Sequence, residues 1–322
     1  RGQSVSLNLS GAEGSRVYSL QFTEPAFLGR DLSFSLDLNY SESQGNYANY
    51  DTENIRVKPG FGFALSERGS LGVYALAERY EMLANSDSSG GIVAAEIAKG
   101  AVWNTGLGYT YTFDTRRGNP TKDKGLRFQF GQELTGLSDS SQAVKTTAKL
   151  TAQTKILNDE VTLRAAIEGG ALNYSSGASR SVDRYQIGSG LIRGFTPDGI
   201  GPREVVYATP GDTTSAVVSN DALGGNMFAV ARLEAEFPLG LPEEYGISGG
   251  VFYDVGSVWN VGDTSGASGT VYYNDFTARQ VVGVSLFWTT PIGPLRFNWS
   301  KAVSKEALDE DQSFNLTIST EF

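Results

Sequence analysis

The 322-residue sequence contains neither cysteine nor histidine. Without cysteine the chain has no disulfide framework and no thiol nucleophile. Without histidine it lacks the usual general base and the commonest zinc ligand, so a Ser–His catalytic triad is impossible. We therefore expect no enzyme activity, no cofactor and no metal site. A catalytic carboxylate pair is the one enzymatic alternative left open, and no spacing in the sequence indicates one.

Long apolar runs are also missing. No uninterrupted stretch approaches the ~20 residues that a transmembrane helix needs, and residues 1–3 carry no signal-peptide hydrophobic region. The net charge of −10 argues against a nucleic-acid-binding surface. These absences alone describe an acidic soluble protein, but 40% of the residues are apolar, and their arrangement indicates something else.

Apolar and polar residues alternate with a period of two along almost the whole chain. We count roughly 14 such segments, each about the ~10 residues that a tilted membrane strand requires. Examples of the apolar positions are Leu32, Phe34, Leu36 and Leu38; Leu126, Phe128 and Phe130; Val284, Leu286 and Trp288; and Phe314, Leu316 and Ile318. Because a sheet in hydrocarbon can leave no backbone group unpaired, the pattern predicts an all-β, transmembrane antiparallel β-barrel over residues 1–322.

The alternative is a soluble β-sandwich. Soluble strands average only ~5–6 residues, which is shorter than these segments. The connections also alternate in length: those at 65–70 and 290–294 are short, whereas those at 41–53, 86–100 and 173–224 are long and polar. Short turns on one rim and long loops on the other are typical of a membrane barrel.

The longest connection, predicted at residues 171–224, carries the motif that names a family. It contains GSGLIRGF at residues 188–195, followed by GIGPR at 199–203, and a connection of that length is usually functional. The combination resembles the Arg-Gly-Phe motif in the sixth extracellular loop of the BamA family. Further matches to that family are DALGGN at 221–226, FYDVGSVW at 252–259, PIGPLRF at 291–297 and the terminal Phe322.

The resemblance implies an arrangement of site residues. In the BamA family the loop folds back into the lumen, and its arginine meets acidic residues on the barrel wall. The matching motif here is Arg193, Gly194 and Phe195, and the matching acceptors are Glu234 and Asp254. A guanidinium binds carboxylates bidentately, so this contact would act as a latch that orients the loop.

The resemblance also implies the insertion of other β-barrels into the bacterial outer membrane. Client strands would pair with an exposed edge at a weak seam, beside a locally thinned bilayer. The barrel signal and gate strand would comprise Phe314, Leu316, Ile318 and Phe322. The expected partners are unfolded outer-membrane proteins, BAM-complex lipoproteins and outer-membrane lipids, with no nucleic acid.

The family barrel has 16 strands, so we expect two strands and the periplasmic POTRA domains to lie outside this sequence. Residues 1–9 echo residues 30–38, which suggests that the chain begins within a hairpin. The alternative function is a translocation pore, either a two-partner secretion transporter or one similar to TamA, since these share the fold and a related loop motif.

The acidic run at residues 309–311 has two interpretations. Three consecutive acidic residues could bind a divalent cation loosely. We favour a solvated hairpin loop for this run.

Overall fold

The structure, a computed structural model, describes residues 2–12, 15–43, 50–85, 89–116, 124–138, 141–290 and 293–317. Its strands in these ranges are β1 (Ser4–Ala12), β2 (Ser15–Glu24), β3 (Leu32–Ser43), β4 (Tyr50–Ala64), β5 (Gly69–Ala84), β6 (Val102–Asp114), β7 (Gly125–Thr135), β8 (Ala143–Ile156), β9 (Val161–Tyr174), β10 (Arg203–Tyr207), β11 (Val217–Ala222), β12 (Met227–Pro238), β13 (Ile247–Trp259), β14 (Thr270–Tyr272), β15 (Arg279–Thr290), β16 (Gly293–Ser304) and β17 (Phe314–Thr317). One short helix, α1 (Gly91–Ile97), precedes β6.

Fourteen strands of the described residues form one antiparallel sheet. Strands β1 to β9 pair in chain order, and β12, β13, β15, β16 and β17 continue the order. A smaller sheet of β11, β10 and β14 lies apart from it. The predicted all-β antiparallel architecture with about 14 strands is therefore confirmed. None of the helices in the described ranges has the length and apolar content to cross a bilayer.

The two faces of the large sheet differ in polarity. Outward-facing Leu107, Ile167 and Leu233 are 54%, 60% and 55% exposed. Glu234, which follows Leu233 along the strand, points inward and is 3% exposed. Asp254 also points inward and is 0% exposed. An apolar face this exposed is stable in hydrocarbon and costly in water. In the described part of the chain no second layer covers it, which excludes the soluble sandwich.

One predicted connection is wrong. Residues 41–43 end β3 and residues 50–53 begin β4, so only residues 44–49, outside the described residues, separate the two strands. Ser41 pairs with Asn54 and Ser43 with Thr52. Serine, glutamate and asparagine side chains at this end of the strands resemble a polar loop in sequence, although their backbones continue the ladder.

The connection between β9 and β12, residues 175–226, lies inside the curve of the sheet, and we call it the long loop. Its Gln186 donates to the Tyr50 hydroxyl on β4 at 2.9 Å, and its Tyr185 donates to a carbonyl of β8 at 2.9 Å. Further along, Arg193 contacts β12 and β13. Since the loop touches widely separated strands, the sheet curls around it. The main apolar core forms there from loop and wall side chains: Ile187, Ile192, Phe195, Ile200, Phe228, Val230, Phe252, Val258 and Val281.

In the described residues the sheet ends on β17, whose residues 314–317 pair with residues 296–299 of β16. Phe314 lies opposite Trp299, and Leu316 lies opposite Phe297. The side chains of Phe314 and Leu316 point outward and are 43% and 48% exposed. The other two residues of the predicted barrel signal, Ile318 and Phe322, lie outside the described residues.

Candidate functional site, an arginine latch inside the sheet

Local turns and apolar anchors fix the pose of Arg193. The amides of Leu191 and Ile192 both donate to the carbonyl of Gly188 at 3.0 Å, which closes a turn just before the arginine. Ile192 and Phe195 are fully buried on either side of it. Gly194 has a φ of 90°, and a Cβ there would lie 2.9 Å from Val281. Only glycine combines that backbone with that closeness.

The Arg193 guanidinium is bound on several sides. Its Nε and Nη2 donate to the two carboxylate oxygens of Asp254 at 2.7 and 2.5 Å, and its Nη1 donates to Glu234 at 2.5 Å. The Arg193 backbone amide donates to Asp254 at 3.0 Å. The ring centroid of Phe252 lies 3.7 Å from Cζ, so a cation–π contact is added. The structure thus brings together all five residues predicted for the latch.

Glu234 is shared by more arginines than the sequence indicated. Besides Arg193, it accepts a hydrogen bond from Arg164 on β9 at 3.2 Å and one from Arg296 on β16. Arg164 also pairs with Glu236 at 2.6 Å. The cluster therefore holds three guanidinium groups against the carboxylates of Glu234, Glu236 and Asp254. This balance of charge is what allows so many ionised groups to be buried together.

The electrostatics keep Arg193 charged. Burial opposes its charged form, but the hydrogen bonds and negative charges of Asp254 and Glu234 outweigh that penalty and raise the pKa of Arg193. An arginine pKa raised further leaves no neutral form at any physiological pH. The contact is thus a permanent ionic link between the long loop and the wall.

The comparisons with known proteins agree with this geometry. The Omp85 superfamily domain matches residues 1–322, the whole chain. The chain belongs to the Omp85 superfamily. It is an outer-membrane β-barrel domain of the BamA type.

Three curated relatives are outer membrane protein assembly factors named BamA. The protein from Neorickettsia risticii is 26% identical over 199 residues, which cover 62% of this chain and 24% of the relative. The Neisseria meningitidis protein is 27% identical over 177 residues, covering 48% and 21%. The protein from Nitratidesulfovibrio vulgaris is 24% identical over 292 residues, covering 89% and 33%. The Omp85 domain thus spans a third or less of these relatives.

Two solved structures share the fold. BamA from Haemophilus ducreyi lacking POTRA domains 1–3 superposes with a TM-score of 0.77 at 20% identity, covering 98% of this chain and 64% of that one. CdiB from Escherichia coli gives a TM-score of 0.53 at 10% identity, covering 94% and 52%. The Omp85 domain is therefore closer in backbone to that BamA barrel than to CdiB.

The acidic run of the Omp85 domain corrects our interpretation of a solvated hairpin. Asp309 forms a fully buried ion pair with Arg279 at 2.9 Å, Glu310 pairs with Arg203 at 3.1 Å, and Asp311 pairs with Lys305. Each carboxylate thus has its own cation. The described residues also contain no cluster of three or more acidic side chains suited to a metal ion.

Another carboxylate missed in the sequence ties three loops of the Omp85 domain together. Glu204, on β10, is fully buried. It accepts hydrogen bonds from the amides of Gly91 and Ile92 at the start of α1, at 2.9 and 3.0 Å. It also accepts from the amides of Ser268 and Gly269, at 2.7 and 3.0 Å. We call the assembly of α1, β10, β11 and β14 the cap; its only sequence signal was the length of the connections that build it.

Asp198, in the long loop, provides a pH-dependent prediction. Burial raises its pKa to about 6, with Arg203 opposing and Glu310 reinforcing the shift. Its φ of 55° is one that asparagine also tolerates. We expect Asp198→Asn to stabilise the Omp85 domain by about 1–2 kcal/mol at pH 7.5, after allowance for partial exposure, because the substitution removes a buried charge.

The sign of this effect follows from proton linkage. Because the folded pKa lies above the ordinary 3.8 of an aspartate, wild-type stability falls as pH rises through 6. The advantage of Asp198→Asn should therefore keep its full value above the folded pKa, shrink as the pH falls from about 6 to 3.8, and be lost below 3.8. Denaturant unfolding in detergent at several pH values measures it. A difference that stays constant with pH would contradict the assignment.

Proposed function

We propose that this Omp85 domain inserts and assembles other β-barrel proteins in the bacterial outer membrane. The observation that carries the proposal is the Arg193 latch, which holds the long loop inside the sheet through buried ion pairs with Glu234 and Asp254. The curated relatives named as assembly factors support it.

The mechanism we propose needs no covalent chemistry. In the described residues the sheet ends on β17, and we take the outer edge of this strand as the one that a client strand meets. A client strand adds to an exposed edge by β-augmentation, so its backbone groups are paired before they meet hydrocarbon. Local thinning of the bilayer lowers the cost of carrying the polar face of the client across. The latch supports this process by keeping the loop out of the path of the terminal strands.

The partners follow from the same proposal. Unfolded outer-membrane proteins are the clients, and outer-membrane lipids surround the apolar face of the sheet. BAM-complex lipoproteins would bind chiefly through POTRA domains of the whole protein.

We expect Arg193→Ala and Asp254→Ala each to slow client assembly about tenfold or more, since a loss of 1.4 kcal/mol of coupling already corresponds to a tenfold change in rate. Both remove the buried ion pair without altering the apolar core around it. The measurement is the rate at which a denatured client barrel becomes heat-resistant in liposomes that contain the protein.

Lys124→Ala is the matched control, because Lys124 and Asp159 form an ion pair at 3.6 Å with both side chains more than 60% exposed. Such pairs contribute little, so assembly should proceed at the normal rate. Normal assembly by both latch variants would refute the role of the latch.

A translocation pore is the second candidate, favoured by the fold shared with CdiB. A polar cavity of about 360 Å³ lies between the long loop and the wall, lined by Arg56, Glu78 and Lys145 among others. The long loop packs against β4, β8 and β12 inside the sheet, which favours an insertase over an open channel. A large, steady conductance of the wild-type protein in planar bilayers would favour the pore instead.

A further inference from the structure

The connection between β16 and β17, residues 305–313, leaves the wall of the barrel, and we call it the terminal segment. It pairs with the long loop through its backbone. The amide of Thr196 donates to the carbonyl of Glu310 at 3.0 Å, and the amide of Gln312 donates to the carbonyl of Gly194 at 2.9 Å. Phe195 and Asp311 face each other between these two bonds. The Arg-Gly-Phe motif is therefore part of a short ladder that includes the approach to the last strand.

A buried ion pair fixes the terminal segment from its other side. Asp309 receives Nε and Nη2 of Arg279 at 2.9 and 3.1 Å, and both side chains are fully buried. Arg279 is the first residue of β15, and its Nη1 donates to the carbonyl of Thr277 at 2.8 Å. The amide of Glu306 completes the arrangement by donating to Asp309 at 2.7 Å. The terminal segment is thus held by the wall at Asp309 and by the loop at residues 310–312.

The sequence gives a reason for this inward turn. If β17 continued along β16 in its present register, Gln312 would lie opposite Lys301 and Glu310 opposite Val303. Both would share the outward face with Phe314, since directly paired residues lie on one side of a sheet. A glutamate and a glutamine on the lipid-facing side are costly. The chain turns inward at Ser313, whose carbonyl accepts the last bond from the amide of Ser300 at 2.9 Å.

We infer that Asp309 and Arg279 are positioning residues for the last strand, and that they link the pose of the Arg-Gly-Phe motif to β17. With the terminal segment fixed on both sides, the long loop and β17 move as one body. Freeing either contact would loosen the pairing of β17 with β16. The consequence for client insertion rests on the proposed function; the mechanical link itself does not.

Hydrogen exchange of the full chain in lipid nanodiscs tests the link. In Asp309→Asn the buried Arg279 loses its charged partner. We expect amide exchange to rise by about tenfold or more at Asn315 and Thr317, whose amides face β16, and at Thr196 in the loop. The matched control is Asp311→Asn, two residues along, whose carboxylate lies in an exposed pair with Lys305. There we expect exchange at all three amides to match the wild type.

A second variant guards against a failure to fold. Asp309→Asn combined with Arg279→Gln removes both buried charges, so no unpaired ion is left, and the same rise in exchange is expected. Faster exchange confined to residues 306–309 would overturn the inference, because the ion pair would then be purely local.

Client assembly, measured on the same samples, separates the two proposals. Faster exchange with normal assembly supports the link and counts against an insertion role for β17. Unchanged exchange in Asp309→Asn, with slow assembly in Arg193→Ala, overturns the link and leaves the proposed function standing.

Discussion

Replacing Glu234 with glutamine is expected to destabilise the Omp85 domain by about 3 kcal/mol or more, the usual cost of leaving a buried charge unpaired. Glu234 is the common acceptor of Arg193, Arg164 and Arg296, and it is 3% exposed. A neutral amide leaves three cations facing two carboxylates in the same enclosure. Urea titration in detergent, followed by the loss of the compact electrophoretic form, measures the change.

The matched control is Glu42→Gln. Glu42 pairs with Arg16 at 3.8 Å, and the arginine side chain is 65% exposed. Solvent screens such a pair, so a change within about 1 kcal/mol is expected. If Glu234→Gln were as mild as Glu42→Gln, the arginine cluster would not stabilise the fold.

Replacing Glu204 with alanine is expected to open the cap while the sheet stays folded. Four backbone amides would lose their carboxylate acceptor, and that of Gly91 would keep only its bond to the Ser268 hydroxyl at 2.8 Å. A buried group left unsatisfied, such as the Ile92 amide, costs about 1–3 kcal/mol before water enters. We expect hydrogen exchange at Gly91, Ile92, Ser268 and Gly269 to rise by about 100-fold, which corresponds to the loss of roughly 3 kcal/mol of local stability. Exchange in the strands of the sheet should stay slow.

The control for Glu204→Ala is Asp212→Ala. Asp212 is an acidic residue of the same loop, and it accepts local bonds from Thr214 and Ser215 in an exposed turn. Its removal should leave the four amides of the cap protected. Protection that persisted in Glu204→Ala would mean that the three loops hold together through other contacts.

Much of the large sheet could be predicted from the sequence. A strand with lipid on one side and a polar interior on the other has apolar and polar residues in strict alternation, and this period of two is visible in the sequence. Leu233 and Glu234 illustrate this: one is 55% exposed and the other is buried, although they are adjacent. The same alternation misled us at residues 41–53, where polar side chains continue both strands beyond the apolar band. The alternation of apolar and polar residues shows which face of the sheet a residue lies on, but it does not show where the strand ends.

The candidate site was predictable only in part. The motif indicated Arg193, and the family resemblance indicated Glu234 and Asp254 as its acceptors. Arg296 was recognisable as an inward residue between Leu295 and Phe297, but its partner lies on β12, three strands away. Which inward residues meet across the interior depends on how the sheet curves, and no local pattern encodes that curvature. The buried ion pair of Arg279 and Asp309 was not predicted for a related reason. In sequence, a polar run beside a turn looks like a solvent-exposed loop.

The cap escaped prediction because its strands are short. Strands β10 and β11 have five and six residues, too few to establish a period. Their positions depend on Glu204, whose four amide donors come from two other loops. The residues next to Glu204 in the sequence do not indicate that its carboxylate binds backbone amides of distant loops.

The way the long loop braces the wall gives the barrel a stiff side and a compliant side. In the described part of the chain, every hydrogen bond from this loop to the large sheet ends on β4 or a later strand. Strands β1 to β3 are held mainly by their own ladders and outer surface. Any force on the wall, from lateral pressure of the lipids or from an incoming polypeptide, would therefore be taken up as flexing at that end, while the braced remainder acts as a fixed frame.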